Sequence, residues 1–352
     1  MNSSNRTKNL SIALSGLNAI DSPGPGVPVA RGLREAPGFN VRIIGLAYEN
    51  LEPGIYMPGI ADRVFTMPYP SEGTAALKER LEYIFSVEKP DVIIPNFDAE
   101  LLPYIRISQW LNERGVATFL PTEDQFEERQ KHRLSEFGEK YNITIPESHP
   151  VNNLGELATM GKKLGYPLVV KGKFYEAGIA RSYQEAEDWF LKISYKWGLP
   201  IIVQKYIKGE EFNVAGLGDG KGETIAAVAM RKQYITDKGK AWGGITVSDP
   251  RMIELTRHFV SQTHWRGPFE LELMKDARGD FHLMEINPRM PAWIYLAVAA
   301  GHNIPAAIVQ LALDQKIAPL PDYQPGIMFI RYSWDLITHV SSFQEFSIKG
   351  ER

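Results

Sequence analysis

The residues best suited to chemistry lie in 267–291, GPFELELMKDARGDFHLMEINPRMP. Two alternating segments flank the turn Asp276-Ala-Arg-Gly-Asp, and side chains of a strand alternate faces with period two. Glu270 and Glu272 then share one face of the first strand. Glu285, Asn287 and Arg289 share a side of the second if it runs that far. A hairpin brings these faces together, with apolar residues interleaving on the other side. Two carboxylates and an amide make a hard-oxygen site suited to Mg²⁺, which takes one or two carboxylates and completes its shell with phosphate and water. Arg289 beside them supplies a fixed cation for a developing anion. An exposed hairpin with a solvated charged face shows the same alternation.

In residues 201–217, IIVQKYIKGEEFNVAGL, an apolar strand ends in Gln204-Lys205-Tyr206, and Glu211 follows one bend later. An amide and unpaired backbone groups at a strand end can read the edge of an adenine, and a carboxylate can hold ribose hydroxyls. A plain strand–turn–strand with a solvated Glu211 fits the same pattern. Lys171 follows four apolar residues in PLVVK and must project from a buried strand. A buried ammonium is costly unless it meets an anion, and phosphate is the natural one. Lys131, in EERQKHRL, reads alone as a helix-surface charge.

The elements that must position these groups fall into two textures. Up to about residue 120, apolar segments at 10–15, 41–47, 63–67 and 91–95 alternate with helix-like stretches at 27–35, 74–88 and 101–114. This order implies a Rossmann-like parallel α/β domain with right-handed crossovers. Ligands of such sheets sit beyond the carboxyl ends of the strands, where Gly16, Gly24, Gly26, Asn96 and Asp98 lie. The run Ser22-Pro-Gly-Pro-Gly26 has neither dinucleotide nor P-loop spacing, and Pro23 and Pro25 remove two amide donors. From Pro121 a charged helix is expected to residue 141, then a helix at 153–164, a strand at 167–171 and a helix at 181–195. Beyond Pro200 the pattern becomes α+β: strands at 201–206, 211–217 and 224–232, a helix at 252–263, the hairpin 269–275 with 281–287, an apolar helical region at 294–313 broken near 301–305, and a strand at 327–332.

Composition narrows the function classes. The 352 residues are roughly two domains of chain. There is no cysteine, which excludes disulfides, thiolate zinc sites, Cys nucleophiles and iron–sulfur clusters. Thirty-nine basic against 42 acidic residues, without a basic block, argue against a nucleic-acid or anionic-membrane partner. No apolar run reaches a membrane span, and the polar start is no signal peptide, so a cytoplasmic protein is expected. The seven histidines show no zinc spacing.

In company these residues resemble the ATP-grasp superfamily. The order is a lysine on a helix, a lysine ending a strand, a hinge strand followed by Gly209-x-Glu211, and an acidic hairpin closing in Glu285-Ile-Asn287-Pro-Arg289. That closing motif is most similar to the carbamoyl-phosphate synthetase large-subunit and biotin carboxylase branch. The resemblance covers almost the whole chain. It implies a small α/β domain over 1–120 and a two-subdomain ATP-grasp fold over 121–352, with a lid at about 167–206. It implies that Lys131 and Lys171 contact ATP phosphates, with Lys173 as an added point charge in a short loop. Gln204 would face the adenine amino group, and Lys205, Tyr206 and Ile207 would offer backbone contacts. Glu211 would bind ribose. Glu272, chosen over Glu270 for its spacing to Glu285, would hold Mg²⁺ or Mn²⁺ with Glu285 and Asn287. Arg231, Arg289 and Lys171 would face the transferred phosphoryl group. Asp98 and Gly24 lie at the strand ends that can help form the substrate site. Trp293 stands where relatives often have small residues, and reads equally as a pocket wall or a core aromatic. The implied activity is an ADP-forming ligase that activates a carboxylate as an acyl phosphate for attack by an amine. Its partners would be small-molecule or peptide substrates, without nucleic acid or membrane, and a homodimer is a possible assembly. The alternative is a nucleotide-binding module without turnover. A dinucleotide oxidoreductase on the first sheet lacks the glycine fingerprint.

Overall fold

The computed structural model describes residues 8–20, 23–173, 176–235 and 241–352. Ser22, and Phe174 and Tyr175 of the expected phosphate loop, lie outside the described residues. Strands β1 (Lys8–Ser15), β2 (Phe39–Ala47), β3 (Arg63–Thr66) and β4 (Val92–Ile94) form a parallel sheet ordered β3-β2-β1-β4. Buried Ile12, Leu14, Ile43, Ile44 and Ile93 give these strands the near-continuous apolar character of parallel strands covered on both faces. Helices Gly26–Arg34 and Gly73–Val87 lie between successive strands. The single helix expected over 101–114 is two, Asp98–Arg106 and Ser108–Glu113, because Ile107 turns out of helical geometry at φ −98°, ψ 7°.

The outer edge of β3 is covered by residues 350–352. Val64 N donates to Arg352 O at 2.7 Å, Arg352 N returns a bond to Val64 O at 2.9 Å, and Thr66 N donates to Gly350 O at 2.9 Å. Helix Val340–Lys349, absent from the sequence expectation, leads into this pairing and buries Phe346.

A second, antiparallel sheet has the order β5-β8-β6-β7, formed by β5 (Ser148–Val151), β6 (Leu168–Gly172), β7 (Ala177–Ala180) and β8 (Ile201–Lys205). Leu168, Val170, Ile201 and Val203 pack into one apolar cluster with Leu157 and Phe190 of the helices Leu154–Leu164 and Tyr183–Trp197. The register pairs Lys171 with Ile202 and Val169 with Gln204, so the alternation puts Lys171 and Gln204 together on the opposite face.

The third sheet has the order β13-β12-β9-β10-β11-β14, from β9 (Gly209–Asp219), β10 (Thr224–Ile235), β11 (Ala241–Thr246), β12 (Arg266–Asp276), β13 (Phe281–Asn287) and β14 (Met328–Ile330). Phe269, Leu271 and Leu273 of β12 are fully buried, which leaves Glu270 and Glu272 on the other face. Gly216 lets the chains approach here: a Cβ would lie 2.2 Å from the Phe269 ring.

The chain divides into two compact units. One comprises Met1–Glu123, Ala215–Glu270 and Asn287–Arg352; the other comprises Asp124–Val214 and Leu271–Ile286. The segment 167–206 lies inside the second. The charged helix expected over 121–141 is three pieces: Glu123–Glu128, the 3₁₀ turn Lys131–Arg133 and Leu134–Tyr141. Gln130 is extended at ψ 142°, so Lys131 stands on a turn and not on a helix face. Among the described residues, no helix is long and apolar enough to cross a membrane.

Candidate functional site

In the second unit, Lys171 leaves β6 half-buried. Burial holds its amine below the ordinary lysine value, Glu285 opposes that shift, Lys131 reinforces it, and Glu272 opposes it more weakly. Lys131 Nζ lies 3.2 Å from Glu285 Oε2. Lys173, on the bend after β6, is close enough to help depress the His132 imidazole, after burial and before Arg133. Three lysines and two carboxylates of alternating sign are thus brought together in one region. Cations of this kind hold phosphate oxygens.

Among the described residues, no three acidic or His side chains converge at metal distance. Glu272 and Glu285 supply two carboxylates. That donor set fits Mg²⁺ or Mn²⁺ bound in part through phosphate oxygens, the usual way Mg²⁺ is held.

Gln204 is 2 % exposed. Ser148 Oγ donates to Pro146 O at 2.8 Å and accepts from Gln204 Nε2 at 2.8 Å. This chain fixes the amide with Nε2 toward β5, and leaves Oε1 buried without a partner among the described residues. An acceptor so placed suits a base that presents an amino group. The Lys205 side chain is exposed, and its backbone N donates to Glu147 O at 2.8 Å, which commits that amide. Tyr206 and Ile207 fall in the link between β8 and β9, and Glu211 is exposed near the start of β9.

The first unit holds a separate constellation. Asp98 opens helix Asp98–Arg106 beyond β4 and accepts from Arg289 Nε at 2.8 Å. Arg289 Nη1 lies 3.9 Å from Glu270 Oε2. Glu270, 6 % exposed, accepts from Asn287 Nδ2 at 3.1 Å and from Trp293 Nε1 at 2.7 Å. It is therefore Glu270 that holds the Asn287 amide. Trp293 is 6 % exposed and lies in the core cluster that contains Met290 and Ile294; its indole N–H is spent on Glu270. On β10, Arg231 Nη2 lies 2.8 Å from the Gln233 side-chain amide, which accepts from it when its oxygen is turned toward the guanidinium. Gly24 sits in a closed turn, its N bonded to Asn18 O at 2.7 Å, where a Cβ would meet Gly16 O at 2.7 Å.

Two residues gain a role that sequence reasoning did not give them. Glu270 shares its strand face with Glu272, and only its donors distinguish it. Glu100 is buried at the strand ends, where it accepts from the Ser15 and Tyr48 hydroxyls and from Asn96 N and Phe97 N. Burial pushes its carboxyl up and those bonds pull it down. Its signal was present: Glu100 is the third residue of a helix, where a carboxylate reaches back to the cap.

Residues 199–332 match a family model described as ATP-grasp in the biosynthetic pathway with Ter operon. The chain is 21 % identical over 282 residues to the carbamoyl phosphate synthase large chain of Clostridium perfringens (strain 13 / Type A), covering 76 % of this chain and 25 % of that one. It is 24 % identical over 287 residues to the same enzyme chain of Pyrococcus furiosus, covering 73 % and 26 %. It thus spans about a quarter of the length of the curated relatives it matches. Its fold is similar to biotin carboxylase from Campylobacter jejuni, solved as a βγ-ATP complex, with TM-score 0.71, 15 % identity and coverage of 92 % and 75 %. An L-amino acid ligase from Bacillus licheniformis gives TM-score 0.67, 18 % identity and coverage of 87 % and 74 %. Residues 199–332 thus carry the match to an ATP-grasp model, and an N-terminal parallel α/β sheet followed by two antiparallel sheets gives the chain a fold similar to that of biotin carboxylase, with distant sequence similarity to the carbamoyl phosphate synthase large chain.

Proposed function

We propose that the chain is an ATP- and Mg²⁺-dependent ligase that joins a carboxylate to an amine, with ADP and phosphate as products. The observation that carries this reading is the cluster of Lys171, Lys131, Glu285 and Glu272 in the second unit, where lysines for phosphate meet carboxylates for a hard cation. Lys131, Lys171 and Lys173 bind the phosphates of ATP. The buried Oε1 of Gln204 accepts from the adenine amino group, Lys205, Tyr206 and Ile207 flank the base, and Glu211 takes the ribose. Glu272, Glu285 and Asn287 hold the cation, which neutralises charge on the phosphates when bound. The substrate carboxylate attacks the γ-phosphorus, ADP leaves, and an amine displaces phosphate from the acyl phosphate.

No side-chain nucleophile is required, so catalysis is positioning and charge neutralisation. Arg289 and Arg231 face the acyl phosphate, and Asp98 fixes the Arg289 guanidinium through Nε. Amide-bond formation is supported by the fold shared with an L-amino acid ligase. The test is ADP and phosphate release by the purified chain with ATP, Mg²⁺ and panels of carboxylic acids and amines, with hydroxylamine added to trap an acyl phosphate as hydroxamate. Release that needs both an acid and an amine supports the reading. Absence of both release and hydroxamate across amino acids, dipeptides and hydroxy acids refutes it.

A further inference from the structure

Glu270 is a carboxylate taken almost wholly out of water. Such burial is costly unless donors repay the lost hydration. Its donors include two residues of one short segment, the Asn287 amide and the Trp293 indole, and Arg289 of that segment stands at 3.9 Å. A carboxylate oxygen only accepts, and an indole N–H only donates. The orientation of Asn287 is therefore determined by chemistry: Nδ2 must face Glu270, and Oδ1 must turn away from it.

We propose that Glu270 is a positioning residue that sets the Asn287 carbonyl oxygen for cation binding and couples this setting to Trp293, without itself touching cation or nucleotide. The inference rests on the reading of Asn287 as a cation ligand. The role is that of the outer partners that orient the ligands of metal sites. It also gives the polar edge of Trp293 a purpose that a core aromatic alone does not need, since phenylalanine would fill the same cluster without an N–H.

The geometry predicts an asymmetric response to Glu270→Gln. A glutamine has one accepting oxygen and one donating nitrogen. The indole cannot reverse its donor, so the glutamine oxygen goes to Trp293 Nε1. The glutamine nitrogen then faces Asn287, whose amide must turn over to meet it. The side of Asn287 directed away from position 270 becomes a donor, which repels a cation. In the double variant Glu270→Gln/Trp293→Phe the indole donor is gone. The glutamine oxygen can then serve Asn287, and the original orientation returns.

The experiment measures Mn²⁺ affinity of the full chain in the presence of ADP, by the electron paramagnetic resonance signal of free Mn²⁺. Thermal unfolding confirms that each variant is folded, and ADP binding in EDTA reports the base site separately. Glu270→Gln should weaken Mn²⁺ about 10- to 100-fold, as loss of such orienting partners does. Trp293→Phe alone should leave Mn²⁺ affinity near wild type, and the double variant should recover most of the loss. A Glu270→Gln variant with wild-type Mn²⁺ affinity, or a double variant no better than Glu270→Gln, overturns the proposal. Asn287→Ala separates the two ideas. If it too binds Mn²⁺ like wild type, the ligand reading fails; if it weakens Mn²⁺ while Glu270→Gln does not, only the positioning role fails.

Discussion

Gln204→Met is the sharpest probe of the nucleotide reading. Methionine keeps the volume of the side chain and removes its acceptor. The native amide is held by a relay, Pro146 O from Ser148 Oγ and Ser148 Oγ from Gln204 Nε2, each link 2.8 Å. Its Oε1 is buried and unpartnered among the described residues, so the acceptor is available for an adenine amino group. A net hydrogen bond is worth about 0.5–1.5 kcal/mol, and a donor left unpaired in a buried place costs about 1–3 kcal/mol. The loss in ADP binding should therefore fall at about 1–3 kcal/mol, which is about 5- to 150-fold in Kd. Guanine presents a carbonyl oxygen where adenine has its amino group, so wild type should reject GDP against Oε1. Ser148→Ala removes the group that holds Nε2, which lets the amide turn over. ADP should then weaken and GDP strengthen, so the ratio of the two moves toward one. Calorimetric titration of ADP and GDP into wild type and both variants reads these outcomes directly. An unchanged ADP Kd in Gln204→Met, or an unchanged ADP/GDP ratio in Ser148→Ala, refutes the reasoning.

Glu285→Gln keeps shape but removes a charged oxygen, and turnover should fall about 100-fold through a misplaced phosphoryl group; near-full ADP release would contradict the site. Lys171 has a folded-state amine below its unfolded value because of burial. The unfolded chain therefore binds more protons, and this residue's contribution to stability rises with pH from its depressed value up to the ordinary lysine value. Lys171→Met should be more stable than wild type at pH 7, with the gap closing toward pH 10 in paired urea melts, while ADP binding is lost; a gap that ignores pH would count against burial as the cause. Trp293→Gly removes a core side chain and the donor to Glu270, which should cost about 3–5 kcal/mol in urea unfolding. A cost under about 1 kcal/mol would mean that the indole does not pack as described.

The parallel sheet was readable because its strands are continuous apolar runs separated by amphipathic stretches. β5, β7 and β11 were not. Ser148–Val151 carries His149 and Pro150, and Ala177–Ala180 is two alanines, a glycine and one isoleucine, so neither shows alternation. That gap matters for Gln204: its residue type was legible at the strand end, but the group that orients it sits on an unreadable strand. The hairpin shows the complementary limit. Period two places Glu270 and Glu272 on one face, and no spacing tells which is buried against Asn287. Trp293, in a different local environment, decides it. The neighbours of Lys131 are good helix formers and predict a helix there, whereas the extended Gln130 breaks the run.

The pairing that covers β3 has a consequence in time. Thr66 and Gly350, joined through the Thr66 hydroxyl at 2.8 Å, are 284 residues apart in sequence. At about 5–20 residues per second, a ribosome needs roughly 15–60 seconds to make the second after the first. From the synthesis of β4 until residue 350 is made, the first sheet has all its strands but one bare edge, open to pairing with another nascent chain. The edge is brief and charged: β3 is four residues long and begins with Arg63, which later meets Glu351 at 3.5 Å. A short strand that starts with an arginine is a poor template for another chain, so the same residue guards the edge during synthesis and helps close it afterwards.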